Sequence, residues 1–291
     1  MLSMLEEIAP QVANNASLVS EPVKVFILAV IQGIAEFLPI SSSGHLVVTN
    51  ALIGTGEGTA ELNIILHFGT LVAIVVFYWR RILDLLKSDR RVIPLLIVGT
   101  IPAVVIGLII KKKFDWITED SLLAGFMLPI TGLILILLTR FTKGEKEYQQ
   151  ITFKTAILIG FAQAFAILPG ISRSGSTIVA GAMLGLKQQS AATFSFLLAI
   201  PVILGATVLE LKDIYEKWSE SQHLEVAPPI TETPVYLLVA GAVISFFVGL
   251  VALRWLVTWI EKGKLHWFSY WLIPFGFAIV VWQLYLRVSA G

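Results

Sequence analysis

Two short stretches of this chain place ionisable groups, hydroxyls and glycines where the surroundings are Leu, Ile, Val and Phe. The first holds Gln32 and Glu36, then Pro39, Ser41, Ser42, Ser43, Gly44 and His45. The second holds Gln163, then Pro169, Gly170, Ser172, Arg173, Ser174, Gly175, Ser176 and Thr177. Gln32 and Glu36 fall on one face of a helix. A carboxylate and an amide so placed can share a hard divalent cation such as Mg²⁺ or Ca²⁺, which prefers oxygen ligands. Glu36 can also serve as a base, or pair with Arg173 purely for packing. The three serines offer a nucleophile once a base takes the proton, and His45 is close enough in sequence to be that base. The same serines can instead bond backbone groups freed at a turn, and all three cannot be nucleophiles.

The second stretch carries the opposite charge. Its glycines permit a tight turn, and the run after them opens a helical piece whose backbone N–H groups and positive dipole end face the turn. Arg173 adds a planar fork that matches phosphate oxygens, with Ser172, Ser174, Ser176 and Thr177 as further donors. A metal-binding or negative wall, an activatable hydroxyl and a positive cradle are the parts of a phosphoryl-transfer site. The two stretches also resemble each other. Gln32 aligns with Gln163, and Ser41-Ser42-Ser43-Gly44 aligns with Ser172-Arg173-Ser174-Gly175 at the same offset, while the prolines slip by one position.

What must hold these residues is a membrane. The 291 residues are 56% hydrophobic and 14% charged, where a soluble domain carries roughly a quarter charged residues. Cysteine is absent, which excludes disulfides, thiolate catalysis and Cys-ligated metals. The net charge of +1 gives no reason to expect a nucleic-acid partner. Glu6 and Glu7 without Lys or Arg make the first twenty residues unlike a secretory signal; residues 3–15 are expected to form a short interfacial helix.

Six apolar runs are long enough to span, at 61–79, 92–110, 121–139, 190–209, 234–256 and 267–286. The pieces 24–39 with 45–53, and 154–169 with 175–186, are each too short to cross and are joined by a Pro/Ser/Gly break. That pattern predicts two re-entrant hairpins. The expected fold is therefore an all-α integral membrane protein, six spanning helices plus two re-entrant hairpins in a single polytopic domain.

Lys and Arg sort the loops. Arg80, Arg81, Lys87, Arg90, Arg91, Arg140, Lys143, Lys146, Lys154, Lys187, Lys262 and Lys264 share one face; Lys24, Lys111, Lys112, Lys113, Lys212, Lys217 and Arg287 share the other. The richer face is assigned to the cytoplasm, with both termini and a 211–233 extramembrane loop outside. The hairpins then enter from opposite sides, an inverted-topology repeat covering about 24–110 and 154–256. Ile101-Pro102-Ala103 and Ile200-Pro201-Val202 offer a weak second echo. Asn63 and His67 either line the cavity or bond between helices. Trp79, Trp255, Trp259, Trp267 and Trp271 read as interfacial anchors, and Gly125, Gly132, Gly241 and Gly249 as sites of close helix packing.

The Gln32-x-x-x-Glu36 element running into Phe-Leu-Pro-Ile-Ser-Ser-Ser-Gly-His, with Pro-Gly-Ile-Ser-Arg-Ser-Gly, strongly resembles the undecaprenyl-diphosphate phosphatase family of the bacitracin-resistance type. The resemblance covers nearly the whole chain. It implies removal of one phosphate from undecaprenyl diphosphate, regenerating the monophosphate carrier for peptidoglycan and other envelope polymers. It implies a divalent cation (Mg²⁺ or Ca²⁺), a polyprenyl diphosphate lipid as substrate, a homodimer in the bacterial inner membrane, and a site opening outward. By position, Gln32 and Glu36 match the family's acidic element, Ser42 its proposed nucleophile with Ser41 and Ser43 beside it, and His45 its base or acid. Ser172, Arg173, Ser174, Gly175, Ser176 and Thr177 match the diphosphate-binding loop. Gln32 stands where many members have Glu, and His67 where Gln is expected. The rival expectation is a transporter or flippase for a polyprenyl-phosphate lipid, since broken helices meeting at the midplane also build carriers. A purely structural membrane protein would leave Glu36, His45 and Arg173 without a reason to be buried.

Overall fold

A computed structural model describes residues 19–53, 59–141, 144–221 and 233–289; the stretch expected to form an interfacial helix lies outside them. Within the described residues the chain is helical, with a single isolated bridge between Lys146 and Leu186. The helices are α1 (Glu21–Ala35), α2 (Ser42–Ile53), α3 (Thr59–Phe77), α4 (Trp79–Leu86), α5 (Val92–Lys113), α6 (Ser121–Leu137), α7 (Phe153–Phe165), α8 (Arg173–Met183), α9 (Gln188–Ser221), α10 (Val235–Glu261) and α11 (Ser269–Ser289).

The long apolar runs become the long helices. α5, α6, α9, α10 and α11 are long and apolar enough to cross a bilayer, and α3 joins them if it is counted with α4 across a 69° bend. That bend shortens the expected 61–79 run. Beyond Tyr78 the chain turns to Arg80, Arg81, Asp84 and Lys87, a composition suited to the membrane surface rather than its core. α9 departs from expectation at its other end. It continues as helix to Ser221, so the first part of the expected 211–233 loop is helical. Residues 211–221 hold helix formers without Gly or Pro, and Lys212 pairs with Glu216 one turn on at 3.4 Å. The remainder, 222–232, lies outside the described residues.

The four short helices pair as α1–α2 and α7–α8, of 15, 12, 13 and 11 residues. None spans about 30 Å, which takes about 20 residues. α1 packs chiefly on α10 and α7 on α5, α3 also seats on α10, and α6 pairs with α11. Glycine lets these backbones approach. A Cβ on Gly160 would lie 2.2 Å from the Gly99 carbonyl oxygen, and one on Gly132 2.8 Å from Ile273. The largest buried side chains gather where the first turn meets α9, with the Phe37 and Phe196 rings 5.9 Å apart.

The two turns explain the one-position slip of the prolines. α1 ends at Ala35 and α2 begins at Ser42, whereas α7 ends at Phe165 and α8 begins at Arg173. The second turn is one residue longer, and the addition falls after Pro169. Each turn needs one left-handed residue, Ser41 (φ 72°) in the first and Gly170 (φ 92°) in the second. The tips touch reciprocally. A Cβ on Gly44 would meet the Gly170 Cα at 2.8 Å, and one on Gly175 would meet the Pro39 Cβ at 3.2 Å. The Ile-Pro echo does not share this symmetry: Pro102 lies in α5, the last helix of the stretch 24–110, whereas Pro201 lies in α9, which α10 still follows within 154–256.

At Gly44 the obstacle is backbone and cannot swing aside. Gly44→Ala is expected to destabilise the protein by about 1–3 kcal/mol through overpacking. Gly205→Ala in α9, where a Cβ meets nothing within 4 Å, is expected to be neutral or slightly stabilising. Thermal midpoints in detergent read both.

Candidate active site at the two loop tips

Glu36 is the centre of the site. It sits just past the C-terminus of α1 with its side chain 7% exposed, a position that demands partners for both carboxylate oxygens. Oε1 accepts from Nη2 of Arg173 at 2.6 Å. Oε2 accepts from the Ser42 hydroxyl at 2.7 Å and from the Gln32 amide at 3.2 Å. His67 Nε2 stands 3.8 Å from the same oxygen. Its Nδ1 lies 2.8 Å from the Asn63 carbonyl, which can only accept, so Nδ1 carries the hydrogen. Gln32 also reaches Thr70 at 3.4 Å. Residues from both turns and from α3 thus converge on one carboxylate.

Both helices that leave the turns start at this centre. In the first, Ser41 Oγ accepts from the Gly44 amide at 3.2 Å; in the second, Ser172 Oγ accepts from the Gly175 amide at 3.1 Å. Each capping serine has a second hydroxyl two residues on, Ser43 at 3.3 Å and Ser174 at 3.2 Å. The positive ends of α2 and α8 therefore face the same space. The guanidinium of Arg173 also lies over the Phe196 ring, 5.8 Å from its centre.

The unpaired atoms are informative. Arg173 Nη1 and Ser176 Oγ are buried donors without a partner, and Gln32 Oε1 is a buried acceptor without one. Buried polar groups are rarely left so; Arg173 and Gln32 are themselves bonded to Glu36, and Ser176 lies one turn along α8 from Arg173. Two orphaned donors suit an anion. An orphaned amide oxygen one turn from a carboxylate suits a hard cation. Gln163, the counterpart of Gln32, also has a buried amide with neither atom paired.

Several residues picked out from the sequence point elsewhere. His45 is bonded to groups other than Ser42. Its Nδ1 donates to the Ser41 carbonyl at 2.9 Å, and its Nε2 accepts from the Trp271 indole at 3.0 Å. The ring stacks on Phe275 with centres 5.0 Å apart. With both nitrogens engaged, His45 ties the first turn to α11, and the group in contact with Ser42 is Glu36. Thr177 turns to Ser195 of α9 at 2.5 Å and braces α8. Sequence reasoning missed Thr131 on α6. Its hydroxyl donates to the Gly170 carbonyl at 2.7 Å and accepts from the Ser172 amide at 3.0 Å, fixing the second turn at both sides of Ile171. A lone Thr in an apolar run gives no signal of this. Thr131→Val keeps the shape and leaves those two buried backbone groups unpaired, so a loss of about 1–3 kcal/mol is expected. Thr131→Ser should retain most of the wild-type thermal midpoint.

Comparison with known proteins covers the same region. The family described as "Bacitracin resistance protein BacA" matches residues 25–278, which include both turns. A protein named undecaprenyl-diphosphatase from Rhodopirellula baltica is 52% identical over 264 residues, 91% of this chain and 99% of its own. One named undecaprenyl-diphosphatase 4 from Bacillus thuringiensis is 39% identical over 261 residues, 89% of this chain and 96% of its own. An undecaprenyl-diphosphatase from Carboxydothermus hydrogenoformans is also 39% identical, over 89% of this chain and 97% of its own. With the match running from α1 into α11 and taking in every residue bonded to Glu36, the chain belongs to the bacitracin resistance protein BacA family.

Proposed function

We propose that this protein hydrolyses undecaprenyl diphosphate to undecaprenyl phosphate and inorganic phosphate, with the two loop tips as the active site. The observation that carries the site assignment is the continuous chain Ser42–Glu36–Arg173, at 2.7 and 2.6 Å, made from both turns. A hydroxyl is a weak nucleophile until a base takes its proton, and Ser42 already donates to a carboxylate. The terminal phosphate is bound by Arg173, whose free Nη1 is available, by Ser176, and by the N-terminal amides of α2 and α8. As the phosphate draws Arg173, Glu36 is released to accept the Ser42 proton. Ser42 Oγ then bonds to the terminal phosphorus, and the bond to the bridging oxygen breaks. Undecaprenyl phosphate leaves carrying the electron pair. Glu36 gives the serine proton up to solvent; water then attacks the phosphoserine and passes a proton to Glu36, which returns it to Ser42 Oγ as the phosphorus–Oγ bond breaks and inorganic phosphate leaves. In a one-step variant, water attacks directly and Ser42 orients it.

A divalent cation fits the donors present. Gln32 Oε1 and the Glu36 carboxylate would hold it, although they supply only a minority of the six or more oxygens such ions take. Among the described residues no group of three acidic, His or Cys side chains could hold a metal, so most ligands would be diphosphate oxygens and water. The ion would neutralise charge on the phosphates.

The reciprocal tip contacts and the matched packing of α1 on α10 and α7 on α5 support an inverted repeat of two re-entrant hairpins and six spans. The Lys/Arg bias supports the orientation assigned to the loops, and the family resemblance implies a site that opens to the outer face of the cytoplasmic membrane. There it would recycle the lipid carrier for peptidoglycan and confer bacitracin resistance.

Phosphate release by the purified protein in detergent tests this reading, because no membrane remains to be crossed and a pure carrier releases nothing. Ser42→Ala is expected to lower kcat by about 10³-fold or more, and Glu36→Gln by about 10²–10⁴-fold. Arg173→Lys should lose about 10²-fold or more, since an ammonium cannot bridge the carboxylate and the phosphate. A fully active Ser42→Ala would remove serine from the chemistry. Chelation with EDTA is expected to abolish release, and added Mg²⁺ or Ca²⁺ to restore it; undiminished activity in EDTA would remove the cation.

A further inference from the structure

The two halves are alike in plan, but one helix crossing differs between them. α3 meets α10 in the first arrangement, and α9 meets α5 in the corresponding one. The α3–α10 crossing is sealed. A Cβ on Gly69 would fall 2.1 Å from Ser245 Oγ and 2.4 Å from the Ala242 carbonyl oxygen. Ser245 also donates to the Leu66 carbonyl across the seam at 3.1 Å.

The α9–α5 crossing is closed only at its ends. Leu198 reaches within 3.1 Å of where a Gly99 Cβ would be, and Lys111 meets Asp213 at 2.5 Å. Between these ties lies a cavity of about 300 Å³ lined by Ile97, Thr100, Ile101, Val104, Val105 and Pro201. The one hydroxyl is spent on its own helix, donating to the Leu96 carbonyl at 2.8 Å. Ile101 and Val104 are 52% and 44% exposed, so the cavity opens to the lipid side.

It also lies beside the second turn. One turn beyond Val104, a Cβ on Gly107 would lie 3.5 Å from Ile167, which belongs to the second turn. On the other wall, Ser195 of α9 bonds Thr177 behind the phosphate cradle. Pro201 follows it by about 9 Å of helix.

We propose that this window between α5 and α9 is the groove in which the polyprenyl tail of the substrate lies as it passes from the bilayer to the loop tips. This rests on the phosphatase reading. An apolar chain anchored by a diphosphate at the tips needs a lateral path, since burying its methylenes against protein or lipid is favourable and exposing them to water is not. Of the two corresponding crossings, one has no room and the other is apolar, open to lipid, and one helical turn from a residue of the second turn.

Filling the window tests it. Ile101→Trp and Val104→Trp are expected to raise KM for undecaprenyl diphosphate about tenfold, equivalent to losing contact with roughly two methylene groups. KM for the much shorter farnesyl diphosphate should be unchanged. Val251→Trp, at a lipid-facing position of α10 that is 68% exposed, should affect neither substrate. A photoreactive benzophenone side chain at Val104, and not at Val251, should cross-link undecaprenyl diphosphate. Equal effects on both substrates, or no effect with no cross-link, would overturn the groove. Cross-linking by the variant with benzophenone at Val104, when the wild-type protein hydrolyses neither substrate, would instead overturn the phosphatase reading and leave the groove.

Discussion

The buried ion pair between Glu36 and Arg173 is the constraint on which the rest depends. These residues are 137 positions apart and meet at 2.6 Å, with side chains 7% and 16% exposed. Taking both charges out of water costs several kcal/mol per ion unless the geometry is good and the remaining lone pairs are filled. Ser42 and Gln32 fill those of Glu36. To bring the charges together the two turns must touch, which is why glycine stands at 44, 170 and 175, where another side chain would meet backbone or the opposite turn. The chemistry and the packing are one requirement here, since the group that orders the loops is the group that accepts from the serine.

The helices answer a second requirement. Irregular backbone at membrane depth survives only when protein satisfies it or a wet cavity lines it. Here the turns are capped by Ser41 and Ser172, braced by Thr131, and enclosed by the helices they pack on. The two turns touch, so the ends of α1, α2, α7 and α8 that border them lie close together. Two of those ends are N-termini, so the site has a positive floor before any side chain contributes.

Much of this was legible in the sequence. The apolar runs are long and strongly biased, so helix existence followed directly, and the Pro/Ser/Gly breaks marked both turns. Glu36 beside the serines and Arg173 among hydroxyls were conspicuous because ionisable groups are rare in such surroundings. What was hidden depends on tertiary contact. His45 is three residues from Ser42 in sequence, yet its partner Trp271 is 226 residues away. Trp271 carries the pattern of an ordinary interfacial anchor. Thr131 has no neighbour that hints at a role. The bend at Tyr78 and the extension of α9 to Ser221 are boundary effects, set by where charged residues leave the apolar environment rather than by a break in helical propensity.

The central claim, that two distant loops form one site, can be tested without reference to turnover. The native chain has no cysteine, so a Pro39→Cys, Gly175→Cys double variant carries the only thiols. A Cβ at 175 stands 3.2 Å from the Pro39 Cβ, slightly inside the roughly 3.5–4.5 Å of a disulfide. Mild oxidation in native membranes, followed by cleavage between the halves and gel electrophoresis, should leave the fragments joined until reductant is added. Fragments that separate without reductant, under conditions where each single thiol is labelled, would contradict the account.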